Sequence, residues 1–231
     1  MTVLAIDTSS EVLAIALAQE GKIIAEYSSL SHNKHSTRLM PAVVQLLNSV
    51  DLKPKDLAKI VVSKGPGSYT GVRIGLSTAK TLAWTLKIPV VGVSSLEALS
   101  LQLLGRNALV APFFDARRNR VYAGLYNPNG QSIIEDQNCL MTDWLDELVK
   151  IDQPIIFVSP DLDSFKAEIT DHLGERANFV SEGFNTTRPG LLALLADERQ
   201  PEDIHQLVPS YLRLVEAEAN WLASQAREEN E

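Results

Sequence analysis

The 231-residue chain is 45% hydrophobic and 22% charged, a composition that excludes global disorder and supports a substantial core. Its formal net charge of −8 disfavours autonomous nucleic-acid binding, because neutralising phosphates requires a concentrated basic surface. The single cysteine, Cys139, cannot form an internal disulfide, which favours a reducing compartment. The sequence shows neither a secretory signal pattern nor a window of roughly 18 apolar residues, so we expect a cytoplasmic protein without a membrane span.

The first half of the chain predicts three strands followed by alternating helices and strands. Glu20 and Gly21 form a hairpin turn signal between the second and third strands. Ser31 or Asn33 is the predicted N-cap of the first helix, and Pro41 is expected to kink that helix. The predicted elements are strands over 2–6, 12–18 and 22–28, a helix over 33–50, a strand over 59–63, a helix over 72–86, a strand over 89–93 and a helix over 96–104.

The second half repeats this order of elements. The predicted elements are strands over 108–114, 120–126 and 131–137, a helix capped by Thr142 and running through 149, a strand over 154–159, a helix over 161–173, a strand over 177–180 and a helix over 189–198. The sequence therefore predicts an α/β protein of two tandem lobes, each a mixed β-sheet with helices on both faces. The predicted lobes are 1–105 and 106–210, with a terminal helix over 211–231 joining the first lobe.

A glycine-rich loop, "GPGSYTG", connects a predicted strand to the second helix. It matches neither a Walker loop nor Gly-x-Gly-x-x-Gly, because Thr70 stands where the third glycine belongs. Free N–H groups at a helix start can still bind an anion. The spacing alone favours a tight strand-to-helix turn over a phosphate site.

Two helices carry more apolar or small surface than one packing face requires. On the second helix Gly71, Gly75, Ala79 and Ala83 recur every fourth residue, beside a mixture of apolar and hydroxyl side chains. This stripe fits either packing on the chain's own sheet or close approach of another protein. On the first helix, Met40 and Val44 widen the apolar arc of Leu39, Val43 and Leu47, which fits either a broad core contact or a partner.

Polar residues that could carry chemistry are few. Asp7, Thr8 and Ser9 end the first strand, where an acid and hydroxyls can orient a metal-bound water or receive a phosphate, although such a triplet is also an ordinary turn. Asp115 ends the corresponding strand of the second half, and Glu97 is the only carboxylate in "GVSSLEALSL". His32 and His35 lie three residues apart, and we interpret them as a solvated helix start rather than as metal ligands.

Five motifs in order resemble the TsaB (YeaZ) family, the small paralogues of TsaD in the actin-like ATPase (ASKHA) superfamily. They are "LAIDTSS", "GPGSYTGVRIG", "GVSSLEAL", "FDARRNRVYAGLY" and "PSYLR", and they span essentially the whole chain. The resemblance implies two actin-like, ribonuclease-H-like lobes, in agreement with the repeated order of elements.

The resemblance also implies that catalysis of the TsaD type is absent. TsaD-like proteins bind a metal through the two histidines of a His-Leu-Glu-Gly-His pattern, and Ser95-Leu96-Glu97-Ala98-Leu99 is the matching stretch here. Ser95 and Leu99 stand where the histidines belong and cannot replace two imidazoles as ligands. We therefore expect no catalytic residue, metal or cofactor, and treat Asp7, Thr8 and Ser9 as a vestigial phosphate-binding turn.

The family implies a scaffold role in modifying tRNA. TsaB-like proteins form a heterodimer with TsaD and act with TsaE to place threonylcarbamoyl on the adenosine next to the anticodon, using an adenylate made by TsaC. The tRNA is then bound through the complex, and a homodimer of the isolated chain stays open. The implied interface is the first two helices, with the residues Leu39, Met40, Val43, Val44, Leu47, Gly71, Ile74, Gly75, Thr78, Ala79 and Leu82.

Two alternatives to the scaffold role remain open, and in both the chain would be an independent enzyme. An actin-like ATPase or small-molecule kinase would use Asp7, Thr8 and Asp115 in the cleft between the lobes. A metallopeptidase would need a metal ligand set that the spacing of the four histidines does not supply.

Overall fold

A computed structural model describes residues 1–30 and 34–212 of the chain. It contains two five-stranded sheets with the same internal topology. Within each, the first strand pairs antiparallel with the second and parallel with the fourth. The first sheet has the order β3-β2-β1-β4-β5, and its strands are β1 (Thr2–Asp7), β2 (Val12–Gln19), β3 (Lys22–Leu30), β4 (Lys59–Ser63) and β5 (Val90–Val93).

The second sheet has the order β10-β9-β6-β7-β8. Its strands are β6 (Leu109–Asp115), β7 (Arg120–Tyr126), β8 (Ser132–Leu140), β9 (Ile155–Val158) and β10 (Ala177–Phe179). The predicted fold class, two mixed sheets with helices on their faces, is confirmed, and the duplication lies in topology. The predicted turn at Glu20 and Gly21 is confirmed too, since both residues have positive φ and join paired strands.

Six α-helices lie in the described part of the chain. They are α1 (His35–Asn48), α2 (Tyr69–Leu86), α3 (Ser95–Ser100), α4 (Met141–Leu148), α5 (Leu162–Leu173) and α6 (Pro189–Leu195). Pro41, which was predicted to kink α1, lies inside the helix, and the helix continues on both sides of it. Thr142 is not the cap of α4, because that helix already begins at Met141. The predicted caps Ser31 and Asn33 lie outside the described residues.

Helix α2 begins three residues before its predicted start. Ser68 is its N-cap, and the Ser68 hydroxyl accepts a hydrogen bond from the backbone N–H of Gly71 at 3.3 Å. At the other end, Lys87 adopts the left-handed conformation that closes many helices. The glycine loop thus runs directly into a capped helix.

Strand β1 is buried on both sides because different helices cover the two faces of the first sheet. Leu4 and Ile6 belong to the core beneath α1 and α2. Val3 and Ala5 face the opposite side and pack against α6. Small residues on β1 and β2 on this side allow α6 to lie close to the strands.

Helix α3 lies between the two sheets. Its Ala98 packs in the core of the first sheet, while Leu96 and Leu99 pack with residues of β6, β7 and β9. The other face of the second sheet is covered by α4 and α5 around the buried ring of Trp144. The space between the lobes is therefore partly filled by a helix of the first half.

The predicted extent of the second lobe, 106–210, is wrong at its C-terminal end. Helix α6 packs on the first sheet, and the backbone of Glu202 pairs with Val90 at the edge of β5. Further along, Leu207 is fully buried in the core beneath α1 and α2. The chain returns to the first lobe from α6 onward, which periodicity could not reveal. The predicted terminal helix lies outside the described residues from 213 onward.

Over the described residues, no helix combines the length and the apolar character that crossing a bilayer would require.

Candidate functional site

The turn that follows β1 is joined to the glycine loop and the start of α2 by hydrogen bonds. Oδ1 of Asp7 accepts hydrogen bonds from the backbone N–H (2.8 Å) and the hydroxyl (2.7 Å) of Ser9. The Thr8 hydroxyl donates to the Gly71 carbonyl at 2.7 Å, and the Ser68 N–H donates to the Ser9 carbonyl at 2.7 Å. Both hydroxyls of the predicted phosphate-binding turn are therefore engaged inside the chain. Oδ2 of Asp7 is buried with no partner among the described groups.

Glycines make this close contact between loop and turn sterically possible. A Cβ at Gly71 would lie 2.1 Å from the Thr8 carbonyl oxygen, and one at Gly75 would lie 2.3 Å from the Thr8 hydroxyl. A Cβ at Gly67 would lie 2.3 Å from the Ser9 carbonyl oxygen. These distances are far inside van der Waals contact. The loop therefore holds the first lobe together.

The stripe of small residues on α2 faces inward. Gly71, Gly75, Ala79 and Ala83 are all buried, and the two alanines belong to the core beneath α1 and α2. Gly71, Gly75 and Ala79, which the sequence predicted to contact a partner, therefore lie in the interior, and the lack of bulk at the two glycines admits Ile6 of β1 and the turn after that strand.

Helix α1 has one buried side and one exposed side. Leu39, Val43 and Leu47 are buried in the chain's own core, so these predicted interface residues also have an internal role. Met40 and Val44 point away from that core, with 40% and 46% of their surfaces exposed. The excess apolar arc that the sequence indicated is therefore an exposed one.

The outward surface of α1 and α2 contains no carboxylate, although the chain has 29 acidic residues. We call this surface the uncharged helix face. It comprises Ser36, Thr37, Met40, Pro41, Val44, Gln45 and Asn48 of α1, and Thr70, Ile74, Ser77, Thr78, Thr81, Leu82 and Thr85 of α2, all exposed or half-buried.

The three cations of these helices reach sideways, away from the uncharged helix face. Arg38 donates to two hydroxyl groups on β3, both at 3.1 Å. Lys80 donates to the backbone carbonyl of Leu207 at 2.8 Å, and Arg73 donates to the Tyr211 hydroxyl. The face therefore presents apolar groups and hydroxyls without a formal charge.

Residues 201–212, which we call the C-terminal strap, run along the side of α2. The Trp84 and His205 rings lie 5.4 Å apart near the end of the helix, and the Tyr69 and Tyr211 rings stack at 5.6 Å near its start. The strap was not foreseen from the sequence, because its contacts join residues more than 100 positions apart.

The stretch that matches the TsaD metal motif is buried between the lobes. Ser95, Leu96 and Leu99 are at most 1% exposed, and the Ser95 hydroxyl accepts a hydrogen bond from the Gly65 N–H at 3.1 Å. Glu97 forms an ion pair with Arg199. Across residues 1–30 and 34–212, no group of three or more His, Cys, Asp or Glu side chains is placed to hold a metal ion.

A carboxylate of the second lobe is bonded to the first lobe beside this stretch. Asp136 on β8 accepts hydrogen bonds from the hydroxyl of Ser94, the N-cap of α3, and from the Tyr126 hydroxyl at 2.6 Å. Gly124 provides the space for this carboxylate, since a Cβ at that position would lie 2.6 Å from an Asp136 oxygen. Burial raises the pKa of Asp136, although both hydroxyl donors act to lower it. No sequence signal identified this contact.

The remaining predicted polar residues have local roles. Asp115 forms a turn by accepting a hydrogen bond from the Arg117 N–H at 2.7 Å. His35 is buried, with Nε2 2.9 Å from the Ser10 carbonyl oxygen, so the prediction of a solvated histidine is wrong there. His32 lies outside the described residues. Nδ1 of His172 lies 2.9 Å from the backbone carbonyl oxygen of Glu168, one turn earlier in α5.

Comparisons with known proteins agree in sequence and in fold. A family model described as "TsaD: tRNA N6-adenosine threonylcarbamoyltransferase" matches residues 21–221. The chain is 50% identical to the tRNA threonylcarbamoyladenosine biosynthesis protein TsaB of Bacillus subtilis, over 97% of this chain and 100% of that protein. This confirms the resemblance drawn from the five motifs.

Solved structures support the same grouping. A Pseudomonas aeruginosa protein described as similar to peptidase YeaZ superposes with a TM-score of 0.75 at 25% identity, covering 92% of this chain and 99% of that one. The ethanolamine utilization protein EutJ of Carboxydothermus hydrogenoformans has a TM-score of 0.50 at 12% identity, over 84% and 90% of the two chains, which bears on fold alone.

Proposed function

The chain belongs to the TsaB family of tRNA threonylcarbamoyladenosine biosynthesis proteins, and from this premise we propose that it is a non-catalytic scaffold that binds and activates TsaD. The uncharged helix face is the surface that we assign to this contact. It is centred on Met40 and Val44 of α1 and on Ile74, Thr78 and Leu82 of α2, the exposed part of the interface predicted from the sequence.

The absence of ionised groups on this face carries the proposal. Two helices totalling 32 residues (14 and 18) contain no acid, and their cations are bonded to other parts of the chain. Such a surface can be covered without stripping water from a charge, and charge depletion with apolar groups is typical of the centre of protein interfaces. Because one side of each helix is packed in the core, the positions of the residues on the outward side are fixed.

The non-catalytic part of the proposal is supported by the stretch Ser95 to Leu99. The two positions that correspond to histidines in TsaD-like proteins are occupied by a hydroxyl bonded to the Gly65 N–H and by an apolar side chain in the core. Neither supplies a metal ligand. The chemistry is therefore assigned to TsaD.

The wider assembly follows from the same assignment. We include TsaE as a further component and TsaC as the source of the adenylate, with tRNA bound through the complex rather than by the acidic chain alone. In the absence of TsaD, the same apolar face would support a homodimer.

The partner surface is tested by substituting two exposed valines, one of which should affect the binding of TsaD while the other should not. Val44→Glu places an acid on the uncharged helix face, whereas Val208→Glu places one on the C-terminal strap, where Val208 is 61% exposed. We expect Val44→Glu to weaken binding of TsaD by about a hundredfold, because the introduced charge would be buried without a partner. Val208→Glu should bind as the unmodified chain does. Calorimetric titration measures both.

Equal affinity of the Val44→Glu variant and the unmodified chain for TsaD would refute the assigned surface. Buried positions such as Val43 and Ala79 are unsuitable for this test, because a charge there would unfold the lobe. The scaffold role itself is checked by threonylcarbamoyladenosine formation with TsaD, which should depend on this chain. ATP turnover by the chain alone, lost in Asp7→Ala, would instead support the actin-like ATPase.

A further inference from the structure

A cavity of about 450 Å³ opens beside β10, the edge strand of the second sheet. Its walls come from the chain between the two sheets, from the starts of β6 and β9, and from the segment after β10. Its volume lies within the range of small-molecule sites, about 300–1,000 Å³. No residue of the uncharged helix face lines it, so the cavity is separate from the proposed partner surface.

The lining combines one cation with aromatic rings and amides. Arg106 is the single ionised residue among those that line the cavity, and its guanidinium lies 5.6 Å from the centroid of the Phe184 ring. Phe179 supplies a second ring, and Asn107 and Asn178 supply amide groups. Within residues 1–30 and 34–212, no carboxylate lies within ion-pair distance of Arg106.

The walls are held in place by contacts behind them. The Gln102 amide donates hydrogen bonds to the carbonyls of Phe184 (2.7 Å) and Thr186 (2.9 Å), which fixes the segment that bears the Phe184 ring. The Phe179 ring packs against the buried Phe157 ring at 6.1 Å. The cavity is thus largely formed before any ligand enters, which lowers the entropic cost of binding.

We propose that this cavity binds a small planar monocarboxylate. One guanidinium matches one negative charge, and its fork geometry suits a carboxylate in a bidentate contact. A flat ring suits the Phe179 and Phe184 side chains, because aromatic rings gain from offset or edge contacts. The Asn107 and Asn178 amides can orient further polar groups of the ligand. The assignment does not depend on the proposed function.

The test titrates the full chain with 2-naphthoate and with 2-naphthamide, its neutral analogue of the same shape, followed by NMR. We expect saturable binding of 2-naphthoate, with shifts centred on residues 105–108 and 178–184. The amide should bind about tenfold more weakly, because it lacks the charge-assisted hydrogen bonds to Arg106. Arg106→Gln should weaken 2-naphthoate binding by about the same factor.

Lys22→Gln is the matched control, since it removes one exposed positive charge from the edge of the first sheet. It should leave 2-naphthoate binding unchanged. Equal binding of acid and amide, an Arg106→Gln variant that binds as tightly as the unmodified chain, or no saturable binding at millimolar 2-naphthoate would each overturn the proposal. Comparing acid and amide on the unmodified chain keeps the test valid whatever the stability of the variant.

Discussion

Gly71 lies where the start of α2 meets the turn after β1, and two opposing effects act on a methyl group there. Alanine favours a helix over glycine by up to about 1 kcal/mol. A Cβ at this position would, however, lie 2.1 Å from the carbonyl oxygen of Thr8, a backbone atom in a turn that is bonded on both sides. The steric effect should dominate, since overpacking costs about 1–3 kcal/mol.

We therefore expect Gly71→Ala to lower the free energy of unfolding by about 1–2 kcal/mol. Ser77→Ala, at an exposed position of the same helix, should change it by less than about 0.5 kcal/mol. Urea denaturation followed by tryptophan fluorescence measures both. A Gly71→Ala variant as stable as the unmodified chain would show that the contact between loop and turn is loose.

Cys139 on β8 is half-buried, and burial raises the pKa of its thiol from 9.0 to about 11. Because the thiolate is the reactive form, the folded chain should react with iodoacetamide at pH 8 roughly a hundredfold more slowly than the chain in denaturant. The rate should rise steeply as the pH approaches 11. Similar rates for folded and denatured chain at pH 8 would contradict the raised pKa.

At the scale of elements, α1 and α2 show how far periodicity reaches. The spacing of Leu39, Val43 and Leu47 predicted a helix with a buried face, and the structure has both. The four-residue spacing of Gly71, Gly75 and Ala79 identified a real stripe, but spacing alone left its partner open. The neighbour of the two glycines is the chain itself, since a Cβ at either would meet Thr8 in the turn after β1.

In the C-terminal strap, substitutions at two adjacent residues should have very different effects on the free energy of unfolding. Leu207 is fully buried beneath α2, whereas Val208 is 61% exposed. We expect Leu207→Ala to cost about 2–5 kcal/mol of unfolding free energy, because it leaves a cavity in the core. Val208→Ala should stay within about 0.5 kcal/mol. Denaturant titration compares the two, and equal effects would mean that the strap is not part of the folded lobe.

At the scale of the whole molecule, the two lobes are connected by polar groups as well as by α3. Asp136 of the second lobe accepts a hydrogen bond from Ser94 of the first. Beside this contact, Glu97 pairs with Arg199 within the first lobe. Burial raises the pKa of both carboxyls above their ordinary values of 3.8 and 4.5. The hydroxyls and the guanidinium offset only part of the cost of burying these charges, since the net shift of both pKa values is upward.

The raised pKa values set the sign of a pH dependence. Above its ordinary pKa, which is 3.8 for Asp136 and 4.5 for Glu97, each carboxyl keeps its proton in the folded chain and loses it in the unfolded chain, so its contribution to stability falls as the pH rises through the raised pKa. Asp136→Asn removes one titrating group, and its amide can still bond to a hydroxyl. We expect a flatter dependence of the unfolding free energy on pH above 3.8, the ordinary pKa of the aspartate carboxyl.

Asp136→Ala is the matched comparison for that experiment. It leaves the buried Tyr126 hydroxyl and the Ser94 hydroxyl without their acceptor, which should cost about 1–3 kcal/mol at neutral pH. Urea denaturation at several pH values measures both variants. An unchanged pH dependence in Asp136→Asn would show that Asp136 titrates in the folded chain as it does in the unfolded one.

The sequence by itself determined the repeated order of strands and helices, the family and the amphipathic face of α1. Each of these depends on residues within one element or on short motifs, where periodicity and turn chemistry act locally. The predicted second lobe extended too far along the chain, to residue 210. Buried residues such as Val43 and Gly75 were assigned to a partner surface. The composition of a helix does not say which neighbour covers each of its faces.

Only the tertiary structure decided the return of α6 and the strap to the first lobe, the contact of Ser94 with Asp136, and the cavity around Arg106. The Ser94 contact joins residues 42 positions apart, and the contacts of the strap join residues more than 100 positions apart. Long-range contacts of this kind follow from the packing of whole sheets and helices, so no local pattern in the sequence specifies them.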